Sequence, residues 1–208
     1  MTSDSQTIKH IQQENMRLKG ENTTMRDYVA RLQHAVSAMT AIQDQLGKIT
    51  IQTDVFQMIH RILTSACDAV NSENGSLLLL DDESGELVFV EVIGGARDKL
   101  LNYRLPKGVG VAGWAVKNRE PKLVHDTLRE PVFSPQVDEL TGLRTTSLIC
   151  VPLMEGSRPL GALEVVNTRT GGPFNESDRD ILVLVGRLAS MAIVEAEKVS
   201  AQAGGAGS

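Results

Sequence analysis

Between residues 8 and 39 apolar positions return every three or four residues without a slip. Read as heptads, the a positions are Ile8, Asn15, Asn22, Val29 and Val36, and the d positions are Ile11, Leu18, Met25, Leu32 and Met39. A hydrophobic period of 3.5 predicts a coiled coil, and asparagines at consecutive a positions favour a parallel two-stranded register because their amides pair across the seam. The flanking charges agree: Glu14 (g) would face Lys19 (e′) of a partner helix, and Glu21 (g) would face Arg26 (e′). Gly20 falls on the outer f position, where it costs about 1 kcal/mol of helix propensity but no packing. At 1.5 Å per residue the segment is about 48 Å long, more than a small domain covers. The alternative is an amphipathic helix lying on its own domain. The two pairing features favour a homodimer whose interface holds Asn15, Leu18, Asn22, Met25, Val29, Leu32, Val36 and Met39.

The pattern continues through Ile42, Leu46 and Ile49 and then breaks near 49–52. Thr53 is the expected N-cap of a second helix over 54–71, whose inner stripe is Val55, Ile59, Ile62, Leu63, Ala66 and Val70. Cys67 rides on that stripe, and His60 falls at the surface or boundary. Beyond residue 74 the spacing changes to that of strands. Segments 75–80 and 87–93 flank the turn-rich 81–85 and predict a hairpin, and 103–105 and 122–124 predict two short strands. Between those two, Gly108, Gly110 and Gly113 lead into a short helix over 111–118 that carries the only tryptophan, Trp114. A glycine-rich turn into a helix can bind phosphate, but these glycines lack the βαβ context of a dinucleotide fingerprint.

Residues 126–146 are irregular, with Pro131, Pro135 and Gly142, and predict a long loop or lid. This loop delivers Thr145, Thr146 and Ser147 to the mouth of two apolar runs, 147–154 and 160–166, joined by the polar turn 155–159. Both runs are too apolar to leave a face in water, so this hairpin is expected at the centre of its sheet with a cover on each side. One charge interrupts it. Glu164 shares a face with Ala162 and Val166, whereas Leu163 and Val165 face the other way. A carboxylate on a covered face must find a partner, either a ligand or an internal group such as Arg144, Arg104 or a backbone donor. The last helix begins at an Asn175 cap with Glu176 and Asp178 in its first turn, and its wide apolar stripe predicts packing on both domain and partner.

Composition narrows the function classes. The chain has 208 residues, 41% apolar and 23% charged, which suits one globular domain with appendages. A net charge of −5 and a pI near 5.4 carry no electrostatic footprint for nucleic acid. Cys67 and Cys150 have neither CxxC nor Cys/His ligand spacing, so two buried thiols are expected, with no metal site and no cofactor. The polar N-terminus is unlike a secretory signal, and no aliphatic run approaches a membrane span. These features predict a soluble cytoplasmic protein with three parts: a coiled-coil helix (1–49), a domain (50–199) and a flexible tail (200–208).

The order of elements resembles a GAF domain. The residues that carry the resemblance are Asn74-Gly75-Ser76-Leu77-Leu78-Leu79, the stretch Gly108-Val109-Gly110-Val111-Ala112-Gly113-Trp114, the run from Arg144 to Leu153, and Leu160-Gly161-Ala162-Leu163-Glu164-Val165-Val166-Asn167. The resemblance implies an α+β fold: a central antiparallel sheet with N- and C-terminal helices on one face and a loop and short-helix cap on the other. Here a long coiled-coil helix precedes it. It also implies a sensory or regulatory module of the bacterial type in signal transduction, dimeric through its end helices, with a small-molecule pocket under the cap. The candidate pocket residues are Glu164, Trp114, Asp126, Phe133, Thr145, Thr146 and Ser147.

Cyclic-nucleotide-binding members of the family carry Asn-Lys followed by Phe-x-x-x-Asp-Glu, a motif whose Lys–Asp pair ties the end of the strand to the last helix. Here Asn167 is followed by Thr168, and Phe174 by Asp178-Arg179, so three positions match and two depart. A cyclic nucleotide therefore stays a candidate on a degenerate motif. Glu164 stands where purine-binding members place a base-contacting carboxylate, three residues before the Asn. Neither cysteine resembles the activated thiols of bilin-binding or methionine-sulfoxide-reducing members, Cys150 is expected on the face away from Glu164, and the adjacent His125 and Asp126 point apart on an extended chain; no catalytic site is expected. Two functions follow: a sensory module that binds a small polar or purine-like ligand and signals to a partner protein, or a ligand-free dimerisation scaffold.

Overall fold

The computed structural model describes residues 2–46 and 55–205. The expected helix break near 49–52 and the Thr53 cap lie outside the described residues. Helix α1 (Thr2–Leu46) is continuous and extends past the heptads at both ends. It touches α2 (Val55–Ala69) and the last helix α6 (Glu176–Gly205), and Leu32 packs against the core that those two helices share. Helix α2 stops two residues before the predicted end because Asn71 takes a left-handed conformation (φ 54°), which short polar side chains tolerate.

Six strands form one antiparallel sheet in the order β3-β2-β1-β6-β5-β4. They are β1 (Ser72–Leu80), β2 (Leu87–Ile93), β3 (Arg104–Leu105), β4 (Lys122–Val124), β5 (Leu148–Glu155) and β6 (Arg158–Thr168). The expected central hairpin is β5–β6, and β6 lies between β5 and β1, pairing Cys150, Glu164 and Ser76 in one row across the three strands. Strands apolar on both faces need two covers, and both are present.

On one face α2 and α6 bury Leu77, Ile149, Val151, Leu163 and Val165 with their own Ile62, Leu63, Leu182 and Val185. On the other, a cap covers Leu78, Phe89, Leu148, Cys150 and Ala162. The cap consists of α3 (Arg97–Leu100), α4 (Gly110–Asn118), a 3-10 turn (Thr127–Arg129) and α5 (Gln136–Thr141).

The stretch 126–146 is thus more ordered than the irregular loop its prolines suggested. Asp126 accepts a hydrogen bond from Leu128 N and caps the 3-10 turn. Pro135 and the left-handed Gly142 (φ 78°) bound α5, a helix too short to show a period in the sequence. The tail expected from residue 200 also differs: α6 runs to Gly205, because Ala201, Gln202 and Ala203 are good helix formers.

Candidate functional site

Between the cap and the sheet lies a cavity of about 70 Å³. Its walls are mostly apolar, formed by Phe89 and Val92 of β2, Leu100, Leu105, Val111 of α4 and Phe133 of the lid segment. Polar groups gather on one side: Glu164 of β6, Ser76 of β1, Thr145, and Asp138 of α5. Three of the seven residues predicted for the pocket, Glu164, Phe133 and Thr145, line this space.

The other four serve the frame. Trp114 packs partly buried in the cap, with the Lys122 ammonium 4.5 Å from its ring centre. Asp126 caps the 3-10 turn and pairs with Arg129 at 3.3 Å. Thr146 lies on the surface and donates its hydroxyl to Asn167 Oδ1 (2.9 Å). Ser147 is buried, donates to Val124 O (2.8 Å) and accepts from Phe174 N (3.0 Å), so it joins β4 to the start of α6. The position of Thr146 and Ser147 near the hairpin mouth was legible, but the direction of each side chain was set by a partner far along the chain, Asn167 for Thr146 and Val124 for Ser147.

Glu164 has the sharpest electrostatics. Neither arginine considered for it is paired with it; its side-chain hydrogen-bond partner is the Cys150 thiol. Arg104 binds Asp81 and Glu86 at the β1–β2 turn, and Arg144 has no ion pair with Glu164 among the described residues. No Lys, Arg or His lines the cavity. Glu164 is half-buried and lines the cavity. Burial first, and the negative charge of Asp138 second, push its pKa up from 4.5 to about 7, against a smaller opposing effect of the Cys150 thiol.

Cys150 was expected to face away from Glu164. It is instead its direct partner in the β5–β6 register, and the two side chains share the cap face. Burial and the neighbouring Glu164 charge raise the Cys150 thiol well above its ordinary value. Cys67, on the opposite face, is pushed up by burial to about 12. Both cysteines are therefore protonated thiols at neutral pH.

Asp138 was not singled out from the sequence. Its Oδ2 accepts from Thr145 N (2.7 Å) and its Oδ1 from the Thr145 hydroxyl (2.6 Å), so it clips α5 to the strand lead-in and turns a second carboxylate toward the cavity. An Asp ahead of a Thr-Thr pair at a loop end was the only available signal. Asn167 clamps the same lead-in from the other side: in a left-handed conformation (φ 56°) it accepts from Thr146 N (2.8 Å) and donates to Arg144 O (2.8 Å).

A sequence profile of the GAF domain matches residues 52–194. The chain belongs to the GAF domain family. A dual 3′,5′-cyclic-AMP and -GMP phosphodiesterase 11 from Drosophila melanogaster is 24% identical over 154 residues, 67% of this chain but only 10% of that protein. Among solved structures, the GAF domain of a phosphoenolpyruvate-protein phosphotransferase from Coxiella burnetii superposes with a TM-score of 0.67 at 20% identity, covering 81% of this chain and 98% of that one. A free methionine-R-sulfoxide reductase from Neisseria meningitidis, solved with its substrate, gives 0.66 at 20% identity over 83% and 93%. At that identity the structural likeness concerns the GAF fold alone. The family is chiefly regulatory, and the fold also supports enzymes.

The family's strand-to-helix tie takes another form here. Thr168 donates its hydroxyl to Gly172 O (2.7 Å), while Arg169 reaches Asp68 of α2 at 3.0 Å. Asn175 and Asp178 cap α6 reciprocally, each side-chain oxygen accepting from the other's backbone N–H. The end of β6 is thus bound to α2 rather than to α6 through a lysine.

Proposed function

We propose that this chain is a sensory GAF module in which a small ligand under the cap is read by Glu164 and reported through the end helices to a partner protein. The observation that carries this reading is a buried carboxyl without a cationic partner, aimed into a cavity beneath a clipped lid. A buried charge left unpaired costs several kcal/mol, and a ligand with N–H donors would offset that cost. The reading is non-catalytic: both thiols are held protonated, which removes the nucleophile a cysteine-based reaction needs. A cyclic nucleotide needs more room than the cavity of about 70 Å³ offers in this arrangement.

Signal output runs through a parallel homodimer in the cytoplasm. Ile8, Ile11, Leu18, Met25, Val29 and Val36 are exposed along α1, 45–59% for all but Met25 at 66%, and exposed apolar residues in heptad register suit a second copy. Leu32 packs against the domain's own core instead. Removing residues 2–25 should convert the dimer to a monomer by light scattering while the thermal transition of the domain is kept. A dimer that survives this deletion places the interface elsewhere.

For the pocket, the test is a thermal-shift panel of nucleotides, 2-oxo acids and amino acids on the wild type and on Glu164→Gln. A ligand at about 100 times its Kd adds about 2.7 kcal/mol of stability. The small volume of the cavity favours the second reading, a ligand-free scaffold, and a panel with no shift at all would support it.

A further inference from the structure

A groove of about 330 Å³ lies between α4 and the β1–β2 turn, apart from the cavity under the cap. Its floor is apolar, with half-buried Leu80 and Pro159 beside the buried Leu87 and Val116. Its rim carries three exposed cations, Lys107, Lys117 and Arg119. A Cβ on Gly85 would stand 3.0 Å from Lys107 Cδ, so the Lys107 stem lies along the turn and forms one wall. Three other cations of the cap region are paired, Arg97 with Glu91, Lys122 with Glu130 and Arg129 with Asp126. None of the three rim cations has an ion pair among the described residues. Two acids also line the groove. Asp81 is held by Arg104, which leaves Asp82 as the free one. The carbonyl end of α4 adds about half a negative charge. The rim therefore keeps a positive excess in a chain whose net charge is −5.

Unpaired surface cations cost little by themselves. Their gathering around one apolar groove calls for a partner that supplies negative charge and an apolar group together. We infer that this groove docks an acidic segment of a partner protein, with an apolar side chain seated against Leu80 and Pro159 and carboxylates meeting Lys107, Lys117 and Arg119. The inference rests on the partner protein of the proposed function and gives that partner a place and a chemistry. A phosphate ion would leave the apolar floor uncovered. A nucleic-acid backbone would do the same, and it would run against the acidic turn Asp81-Asp82-Glu83. In an acidic segment the apolar side chain supplies affinity by burial, and the carboxylates set orientation and rate of encounter. Helix α4 joins the groove to the cavity under the cap: Val111 and Ala112 line the cavity, whereas Gly113, Val116 and Lys117 line the groove. A shift of α4 therefore alters the dock.

Selection of a random heptapeptide phage library on the full chain tests the dock, followed by fluorescence anisotropy of the selected peptides. The expected consensus holds two or more acids flanking an apolar residue. Binding should weaken at least about tenfold in the double variant Lys117→Glu/Arg119→Glu, and similarly when salt rises from about 0.05 M to about 0.5 M. Both residues are exposed, so the melting curve of the double variant should match the wild type. Lys107→Ala, on the opposite wall, should weaken binding about threefold and keeps the test open if the double variant is unstable. Arg187→Glu, a charge reversal at an exposed position of α6, should change nothing. No enrichment, a basic or uncharged consensus, or acidic peptides held equally by the double variant would overturn the inference. A thymidine oligonucleotide that binds more tightly than any peptide and is lost in the double variant would overturn it in favour of nucleic acid. If the dock fails while the ligand panel shifts the melting curve, the sensory reading stands without it. If an acidic peptide binds and no ligand does, the dock holds and serves a ligand-free scaffold.

Discussion

The two faces of the GAF sheet are built from the same strands but obey different rules. Under α2 and α6 the side chains of Leu77, Ile149, Leu163, Leu182 and Leu63 are fully buried and form a closed apolar layer, with Cys67 as an inert filler. Under the cap the layer is broken: Ala162 and Gly110 leave space, and a carboxyl, a thiol and a second carboxylate occupy its edge. Long amphipathic helices supply continuous ridges that fill a sheet face. The cap elements are three to nine residues long and cannot do so. The helix face therefore provides stability, and that stability tolerates an unpaired charge on the cap face.

The largest expected effect is on the helix face. Leu163→Ala should lower unfolding free energy by about 2–5 kcal/mol in urea titration, because the site is closed and cannot collapse. A loss near zero would mean that the two faces share the load equally.

Next is Glu164 itself. A folded-state pKa raised from 4.5 to about 7 means that the folded protein holds this proton more tightly than the unfolded chain. The associated stability is present in full below pH about 4.5 and is lost as pH rises through 7. Glu164→Gln removes that loss, so it should exceed the wild type by about 3 kcal/mol at pH 8 and converge on it near pH 4.5. Paired melting curves across pH 4.5–8 check this; a constant offset would show that Glu164 does not titrate in this window.

Phe133→Ala removes part of the lid wall rather than a core side chain, so it should cost only about 1–2 kcal/mol while enlarging the cavity. A cost equal to that of Leu163→Ala would erase the contrast between the faces. The smallest effect belongs to the clip. Thr145→Val removes the hydroxyl that donates to Asp138 and should cost about 1 kcal/mol. Amide exchange should then accelerate over 136–142 but not over α2 or α6.

Much of the architecture was legible in the sequence because it rests on long, repetitive patterns. Heptads over 8–39, the apolar stripes of α2 and α6 and the two-sided apolar runs of β5 and β6 each repeat enough to reveal their period, and the sheet centre and both covers follow from them. The short cap helix α5 repeats nothing and was read as loop. In the site, Glu164 was legible as a charge inside an apolar strand. Asp138 was not, because its role depends on reaching Thr145 across a turn.

The amino-acid sequence alone determined the central hairpin with a cover on each side, the face of the sheet that Glu164 occupies and the apolar stripe of α1. Periodicity encodes which face of an element is buried, and that is a local property. Tertiary structure alone decided that Arg104 is spent on Asp81 and Glu86, that Cys150 lies beside Glu164, that Leu32 packs against the domain core, and that the start of α4 and two carboxylates line one cavity. Each of these depends on the distance between groups far apart in the chain, and only the packed fold sets that distance.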